Sequence, residues 1–482
     1  MKTAIILAQG QGLKAWPLSV TRPKASLPIG GTALLRLQLD HLEAAGIGTV
    51  ILVASSHGAA RLRHVASGRG SQPVGAWGMM QRQARDHEMP VQFVVLDPCL
   101  GNAPALLAAL QGLDDDDPLL VIYGDVLFDS VTLGGLLAAH AEDRAQCLVL
   151  AARLDALDDP SMHLAMRVQE GRVQEMIAHP RHSVTHRLAG MFVCTKASLQ
   201  PYLEAHPGYT ATVPSGGMPP QGEADLAQSL QMMVEDGIAL RAVEAAGLAL
   251  DVDRPWDVLV GSHLWLEMCG NALQEDVVHP TARVSERAEI HGHIVVGQNA
   301  VIGPGAILEG NAWVESDSVV THGAILGPNV HIGPRCLVKD YAWIGDHTSL
   351  GPRCKISHCA EVHGVLFGRS TIMHHCEVWG VLGEAVDIGA GTAFGTLRFD
   401  DQPQRHRVAG RWETPQQASA ATFIGDFCRT GVNCIFQPGC KVGPYCVVGP
   451  GVVVSGDVPE HSLLLLKQEV ERTQWGSERY GW

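Results

Sequence analysis

Aliphatic, polar and small residues recur in a strict six-residue period through residues 277–366. Cut into sixes, the segment begins VVHPTA, RVSERA, EIHGHI, VVGQNA, VIGPGA and ILEGNA. The second position is aliphatic in all fifteen units, and the sixth is usually Ala, Ser, Thr or Cys. After a disturbed stretch, the same period returns through residues 423–458. A short fixed period of this kind indicates one backbone unit stacked on itself, as in a β-solenoid.

The repeat predicts a strand and a core position in every unit. Each six would form one short strand and a turn, and three sixes would make one triangular coil, stacked on the next at about 4.8 Å. The aliphatic second positions would then form one buried column. The predicted column comprises Val278, Val284, Ile290, Val296, Ile302, Leu308, Val314, Val320, Leu326, Ile332, Val338, Ile344, Leu350, Ile356 and Val362.

From Lys2 to Trp256, apolar runs alternate with amphipathic segments. The runs AIILA, TVILVAS and PLLVIYGD are rich in Val, Ile and Leu and predict strands, whereas ALLRLQLDHLEAAG and NAPALLAALQGL predict helices. This alternation is typical of an α/β fold with a mostly parallel sheet covered on both faces. Ligands of such folds bind at the carboxyl ends of the strands, where we expect the chemistry.

The two patterns predict two large domains, which the length of 482 residues also favours. We place an α/β domain at 1–258, a helical linker at 259–276 and a solenoid at 277–458. A segment at 399–422 interrupts the solenoid, and we expect it to pack on a neighbouring subunit or over a cleft. Residues 459–482 would form a tail with a short helix, whose aromatic end caps the solenoid or reaches a partner chain.

Composition narrows the classes of partner. A formal net charge of −15 argues against nucleic acid and against an anionic membrane. The start MKTAIILAQG has an apolar run too short for a secretory signal, so we expect a first strand there. No apolar run approaches the length of a membrane span, and we expect a cytoplasmic protein.

Many of the twelve cysteines follow the repeat. The chain has no C-x-x-C pair, so we expect buried free thiols rather than zinc ligands or disulfides. Those that fall at the small inward position are Cys336, Cys354, Cys428, Cys434, Cys440 and Cys446.

The first predicted strand runs directly into the glycine-containing segment GQGLKAWPLSVTRPKASLPIGG. Glycine removes the side chain that would block approach, so a turn of this kind exposes backbone N–H groups that can cradle phosphates. Gly10 and Gly12 alone are weak evidence for a nucleotide site.

The rest of the segment resembles the signature of the nucleotide-sugar pyrophosphorylases, L-A-A-G-x-G-T-R-L-x-P-L-T followed by P-K and P-I. The resemblance implies that the glycine loop holds a nucleoside triphosphate and that Lys24 contacts phosphates. It places Lys14 where the family has an arginine that binds the triphosphate, so the charge is kept but the bidentate fork is lost. The residues in register are Leu7, Ala8, Gly10, Gly12, Pro17, Leu18, Ser19, Pro23, Lys24, Pro28 and Ile29.

Three further landmarks of that family follow in order. LGNAPALLAAL matches the segment that lines the nucleobase pocket, which makes Gly101, Asn102 and Ala103 candidates for nucleotide binding. VIYGDVLFD and LALDVDRPWDVL match the segments that supply two magnesium ligands, here Asp125 and Asp251. Mg²⁺ takes few protein oxygens and keeps substrate phosphate and water as its other ligands.

The sugar half of the family's site is less well kept. The usual E-K-P, which contacts the sugar and its phosphate, is Ala178, His179 and Pro180 in this chain. The usual N-[AT]-G is Leu188, Ala189 and Gly190. Because of these departures, the sequence does not indicate which sugar is the substrate.

The solenoid resembles the left-handed parallel β-helix of the hexapeptide acyltransferases, and in particular the acyltransferase half of archaeal two-domain enzymes. DIGAGTAFGTLRFDD, FIGDFCRTGVN and LKQE align with that group. The resemblance implies acetyl-CoA as a co-substrate, a homotrimer or higher homo-oligomer through the β-helix, and His374 as general base on an amine. The chain departs from the pattern at Glu377, Thr396 and Gln416.

The sequence therefore predicts an Mg²⁺-dependent sugar-1-phosphate nucleotidyltransferase, with nucleoside triphosphate and sugar 1-phosphate as substrates. An amino-sugar-phosphate acetyltransferase site would be a second activity. Two alternatives stay open at this point: an acetyltransferase alone, and a non-catalytic relative that binds nucleotide and assembles through its solenoid.

Overall fold

The computed structural model describes residues 1–68, 89–97, 101–142, 147–155, 159–178, 180, 182–205 and 225–479. His179 and the last three residues, which belong to the predicted sugar segment and the aromatic tail, lie outside the described residues. No helix in the described part of the chain is both long enough and apolar enough to span a bilayer.

The described elements that precede the solenoid alternate between helix and strand, as the apolar pattern predicts. The helices are α1 Leu34–Ala44, α2 Ser56–Ala66, α3 Asn102–Ala109, α4 Ser130–Glu142, α5 Lys196–Glu204, α6 Leu226–Glu235 and α7 Pro255–Ala272. The strands are β1 Thr3–Ala8, β2 Pro28–Ile29, β3 Thr32–Ala33, β4 Thr49–Ala54, β5 Val91–Val95, β6 Pro118–Tyr123, β7 Val126–Phe128, β8 Cys147–Arg153, β9 Leu164–Gln169, β10 Arg172–Ala178, β11 His186–Thr195, β12 Leu240–Glu244 and β13 Ala249–Asp251.

Nine of these strands form one mixed sheet in the order β5-β4-β1-β6-β11-β8-β12-β10-β9. The prediction of a mostly parallel sheet is right for the first four strands, which pair in parallel. It is wrong for most of the second half, where only β8 and β12 pair in parallel, β11 runs antiparallel to β6 and β8, and β9 and β10 form an antiparallel hairpin. That hairpin turns at Glu170 and Gly171, both at positive φ, so no crossover helix separates its strands.

Two apolar layers cover the sheet. One packs α3, α5 and α6 against one face, with Phe192 and Leu230 fully buried, and the other packs α1, α2 and α4 against the opposite face. On β1, Ile5 and Leu7 pack in the first layer, and Ala4, Ile6 and Ala8 pack in the second, because successive side chains of a strand point to opposite faces. The sheet therefore has the two-sided cover that the apolar runs predict.

Helix α7 connects the domains, and it begins at Pro255 rather than at the predicted boundary of 259. Proline suits the first turn of a helix, and the Asp257 carboxylate accepts hydrogen bonds from the backbone N–H groups of Asp253 and Arg254 at 2.9 and 2.7 Å. Trp265, on the inner side of α7, is fully buried. The helix therefore belongs to the first domain at one end and packs on the solenoid at the other.

The second part of the chain is a left-handed parallel β-helix. Its strands are short and are interrupted once, by the hairpin β33 His406–Val408 and β34 Arg411–Glu413. Before the hairpin they are β14 Val277–Val278, β15 Arg283–Val284, β16 Glu289–Ile290, β17 Ile294–Val296, β18 Val301–Ile302, β19 Ile307–Leu308, β20 Ala312–Val314, β21 Val319–Val320, β22 Ile325–Leu326, β23 Val330–Ile332, β24 Leu337–Val338, β25 Trp343–Ile344, β26 Ser349–Leu350, β27 Lys355–Ile356, β28 Glu361–Gly368, β29 Thr371–Ile372, β30 Glu377–Glu384, β31 Asp387–Ile388 and β32 Ala393–Phe394. After it they are β35 Thr422–Ile424, β36 Arg429–Thr430, β37 Ile435–Phe436, β38 Lys441–Val442, β39 Val447–Val448, β40 Val453–Val454 and β41 Leu463–Leu464.

The register of the coils shows where the period breaks. In the first coils Val277 pairs in parallel with Val295, so one coil spans three full units of the repeat. Near β28 the coils are shorter than three units, since Leu350 pairs with Leu366. Across the interruption Val381 pairs with Phe423, because the inserted segment lies outside the coil. The loss of phase in the sequence therefore comes from shortened coils and one insertion.

The predicted aliphatic column is buried from Val296 onward, which confirms the stacked repeat. The exceptions are in the first coil, where Val278 and Val284 are exposed because no earlier coil covers them. All the described cysteines are free thiols, and those at the small inward positions are buried.

The predicted tail differs from the structure. Leu463 and Leu464 form β41, which pairs with β39, so the coil continues past the predicted boundary of 458. Residues 465–476 have no regular secondary structure, and only a short 3₁₀ turn at Ser477–Arg479 follows. The prediction of a helix here is wrong because the apolar run SLLLL supplies the next solenoid strand.

The segment between β1 and β2, which carries the glycine loop, is held against the β-helix by charge. Arg22 is 3% exposed and its guanidinium lies 2.6 Å from Asp426, which is also 3% exposed. The Thr21 hydroxyl donates a hydrogen bond to the same carboxylate, and Glu384 lies 3.6 Å from Arg22. The two domains therefore meet at a buried ion pair.

We expect Asp426→Ala to destabilise the protein by about 3–5 kcal/mol, because Arg22 would stay buried without its main partner. Differential scanning calorimetry would show a lower first transition temperature. Asp117→Ala, which removes an exposed partner of Lys2, is the control and should change the transition little. Equal transition temperatures for the two variants would show that the buried pair does not hold the domains together.

Candidate functional site

A cavity of about 420 Å³ opens at the carboxyl ends of β1 and β6. Ligands of α/β folds bind at the carboxyl ends of the strands, so the cavity lies where a ligand site is expected. Most of the residues predicted for the nucleotide and metal sites line it, namely Leu7, Ala8, Gly10, Gly12, Lys14, Lys24, Asn102, Asp125 and Asp251. Gly101 and Ala103 flank Asn102 at the start of α3 and do not themselves line the cavity.

The glycine loop reaches the cavity through a left-handed turn at Gly12, whose φ is 70°. A Cβ atom at this position would lie 3.0 Å from Cγ of Lys24, so glycine lets the lysine side chain cross the loop. The loop is also tied to α3, because Nε2 of Gln9 donates to Oδ1 of Asn102 at 2.9 Å. The two predicted nucleotide-binding segments therefore lie side by side.

Lys24 lies at the centre of a charged network. Its ammonium group donates to the carboxylates of Asp125 and Asp253, the latter at 2.7 Å. Burial would lower the pKa of Lys24, but the two aspartates raise it well above the ordinary value of a lysine. Lys24 therefore stays positively charged inside the cavity.

Asp253 is a site residue that the sequence analysis missed. Its carboxylate lies 3.0 Å from Nζ of Lys14 and 3.1 Å from the guanidinium of Arg254, in addition to Lys24. Burial would raise the pKa of Asp253, but Lys24, Lys14 and Arg254 together hold it well below the ordinary value. One carboxylate therefore forms ion pairs with both of the lysines that the family resemblance assigns to phosphates. No local signal marked Asp253, because it lies two positions beyond the end of β13 and its lysine partners come from the start of the chain.

Asp125 and Asp251 are brought together by β7 and β13, which pair antiparallel with Asp251 opposite Val126. The N–H of Val252 donates to the carbonyl oxygen of Asp125 at 2.7 Å. Burial raises the pKa of Asp251 above its ordinary value; Arg187, 3.5 Å away, opposes that shift, and Asp125 and Asp253 add to it.

These carboxylates fit a hard cation. A divalent cation between Asp125 and Asp251 would favour the ionised form of Asp251, which burial and the neighbouring carboxylates disfavour. The buried hydroxyl of Tyr123, beside them, has no hydrogen-bond partner among the described residues. Among the residues that the structure describes, no group of three or more His, Cys, Asp or Glu side chains could hold a metal ion together. Mg²⁺ takes few protein oxygens, so an ion held by Asp125 and Asp251 would keep substrate phosphate and water as its other ligands.

The far side of the cavity is formed by Met162, His163, Leu164 and Leu188. Leu188 stands where the resemblance expects an asparagine that touches the sugar. Gly190 does not line the cavity, and a Cβ atom there would lie 2.2 Å from a methyl group of Val126. This side is mostly apolar.

The inserted hairpin of the solenoid completes the cavity wall. Val408, Ala409, Arg411 and Glu413 line the cavity, so the insertion packs over a cleft of its own chain. The carboxylate of Glu413 lies 2.8 Å from Nε of Arg254. Arg254 therefore links the hairpin to the charged network around Asp253.

The predicted base His374 lies on a different part of the molecule, at an exposed corner of the β-helix with φ of 60°. Its Nδ1 lies 2.8 Å from Nδ1 of His358, whose Nε2 lies 3.3 Å from the Asp340 carboxylate. If His358 donates its Nε2–H to Asp340, it accepts the Nδ1–H of His374, which leaves the lone pair on Nε2 of His374 free. Asp340 and His358 were not found from the sequence, because they come from earlier coils.

The three departures near this second site are exposed. Glu377 begins β30, Thr396 follows β32, and Gln416 follows the hairpin. None of them contributes to the hydrogen-bonded row of Asp340, His358 and His374.

Comparisons with known proteins agree with this organisation. Residues 3–203 match the family model described as nucleotidyl transferase, and residues 421–456 match the bacterial transferase hexapeptide model of six repeats. These matches confirm a nucleotidyl transferase domain followed by hexapeptide repeats.

Two curated relatives match along nearly their whole length. The bifunctional sugar-1-phosphate nucleotidylyltransferase/acetyltransferase of Sulfurisphaera tokodaii is 24% identical over 464 residues, which cover 94% of this chain and 98% of that protein. The bifunctional protein GlmU of Methanococcus maripaludis is 28% identical over 481 residues, which cover 98% of this chain and 99% of that protein. A solved UDP-glucose pyrophosphorylase complexed with UDP-glucose aligns with 56% of this chain and 99% of its own, at 17% identity and a TM-score of 0.47.

We expect Asp253→Asn to bind inorganic pyrophosphate about tenfold more tightly than the unmodified protein, because the carboxylate competes with a phosphate for Lys14 and Lys24. Isothermal titration calorimetry would measure the dissociation constants. Asp225→Asn is the matched control, since Asp225 lines the same cavity and caps α6 instead of binding a lysine. Weaker binding by Asp253→Asn would show that the carboxylate orients the lysines for the anion instead of competing with it.

Proposed function

We propose that this chain is an Mg²⁺-dependent sugar-1-phosphate nucleotidyltransferase, which joins a nucleotide to a sugar 1-phosphate and releases pyrophosphate. The observation that carries the proposal is the convergence, in one cavity, of the glycine loop, two lysines and two carboxylates from separate strands. The matched nucleotidyl transferase model and the printed name of the Sulfurisphaera relative support the same reaction.

The reaction needs no side-chain nucleophile, because a phosphate oxygen of the sugar 1-phosphate attacks the α-phosphorus directly. The protein contributes position and charge. Lys14 and Lys24, which lie on the glycine loop and just after it, would face the triphosphate and the developing charge of pyrophosphate. Asp125 and Asp251 would hold the Mg²⁺, which neutralises charge on phosphate oxygens when it is bound.

The partner of Lys24 changes in this mechanism. In the structure its ammonium group is shared by Asp125 and Asp253. A triphosphate entering the cavity would offer oxygen atoms to the same ammonium group. Asp125 would then be free to meet a cation, so that binding of nucleotide and of metal would support each other.

A second function is favoured by the row Asp340, His358 and His374. We infer an acetyl transfer site on the β-helix, in which His374 accepts a proton from the amine of an amino-sugar phosphate as that amine attacks the thioester carbonyl of acetyl-CoA. An amide bond forms, the C–S bond breaks, and coenzyme A leaves as its thiol. Fixing Nδ1–H of His374 on His358 presents Nε2 to solvent as the proton acceptor. The name of the Sulfurisphaera relative includes an acetyltransferase, in agreement with this inference.

We expect pyrophosphate release in Mg²⁺ for one pairing of nucleoside triphosphate and sugar 1-phosphate, and a loss of at least about 100-fold in kcat for Asp125→Ala. A coupled pyrophosphate assay over a panel of both substrates would measure it. Asp114→Ala, in an exposed acidic loop, is the control and should keep full activity. Nucleotide binding without pyrophosphate release for every pairing would indicate the non-catalytic alternative.

We expect His374→Ala to lower acetyl transfer to glucosamine 1-phosphate by about 100-fold or more, since general bases contribute about 10² to 10⁴. His358→Ala should lower the rate less, because it orients the ring without touching the amine. Chromatography of released coenzyme A would measure both. His461→Ala, which removes another corner histidine of φ 60° that stacks on Tyr445, is the control. Unchanged rates in His374→Ala would remove this residue from the reaction.

A further inference from the structure

The hairpin formed by β33 and β34 is part of the cavity wall and packs on both domains. Val408 is 4% exposed and packs in the apolar cluster that joins the two domains. His406 is 2% exposed, and its ring lies 5.1 Å from that of Trp256. The buried ammonium group of Lys441 donates to the carbonyl oxygen of Arg407. The hairpin is therefore fixed both to the nucleotidyl transferase domain and to the coil beneath it.

Alternation along the hairpin separates two faces. Arg411 and Glu413, two positions apart, line the cavity. The residue between them, Trp412, faces away and lies under the guanidinium of Arg405 at 5.5 Å. Arg407 pairs with Trp412 across the hairpin and does not line the cavity. Two arginines of one hairpin thus have opposite orientations.

The lysines and arginines that line the cavity differ in their partners. Lys14 and Lys24 are held by Asp253, and Lys24 also by Asp125. Arg254 is held by Glu413 and Asp253. Arg411 is exposed to the cavity and has no acidic partner in the described part of the chain.

The charges that line the cavity disfavour anionic ligands. The cavity is also lined by Asp225 and Asp251, so its carboxylates outnumber its lysines and arginines. Two substrates that both carry phosphate must nevertheless bind there together. The only guanidinium not already neutralised by a neighbouring carboxylate, among the described lining residues, is that of Arg411.

We propose that Arg411 is a phosphate-binding residue of the nucleotidyl transfer site, supplied by the β-helix domain. The proposal rests on the proposed function, because it deepens the account of the same cavity. A guanidinium group presents paired N–H donors that match two oxygens of a phosphate. Arg411 lies two residues before Glu413 on the hairpin, Glu413 binds Arg254, and Arg254 donates to the carbonyl oxygen of Met162, one of the residues of the mostly apolar side of the cavity. We therefore expect the phosphate of the sugar 1-phosphate to be its ligand.

The test compares Arg411→Ala, Arg411→Lys and the matched control Arg407→Ala. Isothermal titration calorimetry with glucose 1-phosphate, N-acetylglucosamine 1-phosphate and each nucleoside triphosphate would give dissociation constants, and the pyrophosphate assay would give KM and kcat. We expect Arg411→Ala to weaken sugar 1-phosphate binding and raise its KM about tenfold or more, with kcat changed less. Arg411→Lys should recover part of the affinity, since the charge remains, and Arg407→Ala should match the unmodified protein.

The arms of the experiment separate the two sources of phosphate. A loss confined to nucleoside triphosphate would support the phosphate-binding role and assign Arg411 to the triphosphate. Affinities of Arg411→Ala within twofold of the unmodified protein for both ligands would overturn the inference, as would an equal loss in Arg407→Ala. Circular dichroism of all three variants would show whether each is folded.

Failure of the proposed function has a different result. An unmodified protein that binds sugar 1-phosphate or triphosphate but releases no pyrophosphate would refute the reaction, while the titrations would still decide the role of Arg411. An unmodified protein that binds neither phosphate compound would overturn both proposals.

Discussion

The buried pair of Arg22 and Asp426 is the contact on which the position of the active loop depends. Arg22 lies two positions before Lys24, and Asp426 lies in the first coil after the insertion. Because both side chains are almost fully buried, neither can turn to water without leaving the other unpaired. The same contact fixes the segment that carries the glycine loop and Lys24 to the coils of the other domain. The solenoid is thus part of the framework of the proposed nucleotidyl transfer site.

Buried charges within the cavity are also paired with charges of opposite sign. Asp253 forms ion pairs with Lys14, Lys24 and Arg254. Arg254 in turn pairs with Glu413, which belongs to the solenoid. Buried ammonium groups need partners when no substrate is present, and these carboxylates supply them. Under the proposed function, an incoming phosphate would have to compete with a carboxylate at each lysine. The prediction for Asp253→Asn follows from this competition.

The sequence predicted the elements that depend on local pattern. The six-residue period gave the stacked coils and their buried column, and the glycine loop, Lys24, Asp125 and Asp251 were recognised by resemblance and lie in one cavity. The contacts that depend on tertiary position were missed. Asp253 was not singled out because nothing in the local sequence shows that it faces two lysines from the opposite end of the domain's chain. The strand at Leu463 was assigned to the tail because its coil has lost the regular period.

The insertion explains how a regular solenoid can acquire a site-specific surface. Each coil repeats the same corners, so a β-helix offers its neighbour a uniform wall. A segment that leaves the coil after Phe394 and rejoins it at Thr422 can vary without changing the stack, because the parallel pairing resumes from β32 to β37 across it. Its hairpin lies where that wall meets the cavity, and its alternate residues face the cavity and solvent in turn. The second domain therefore contributes side chains to the cavity of the first through a segment that its repeat does not constrain.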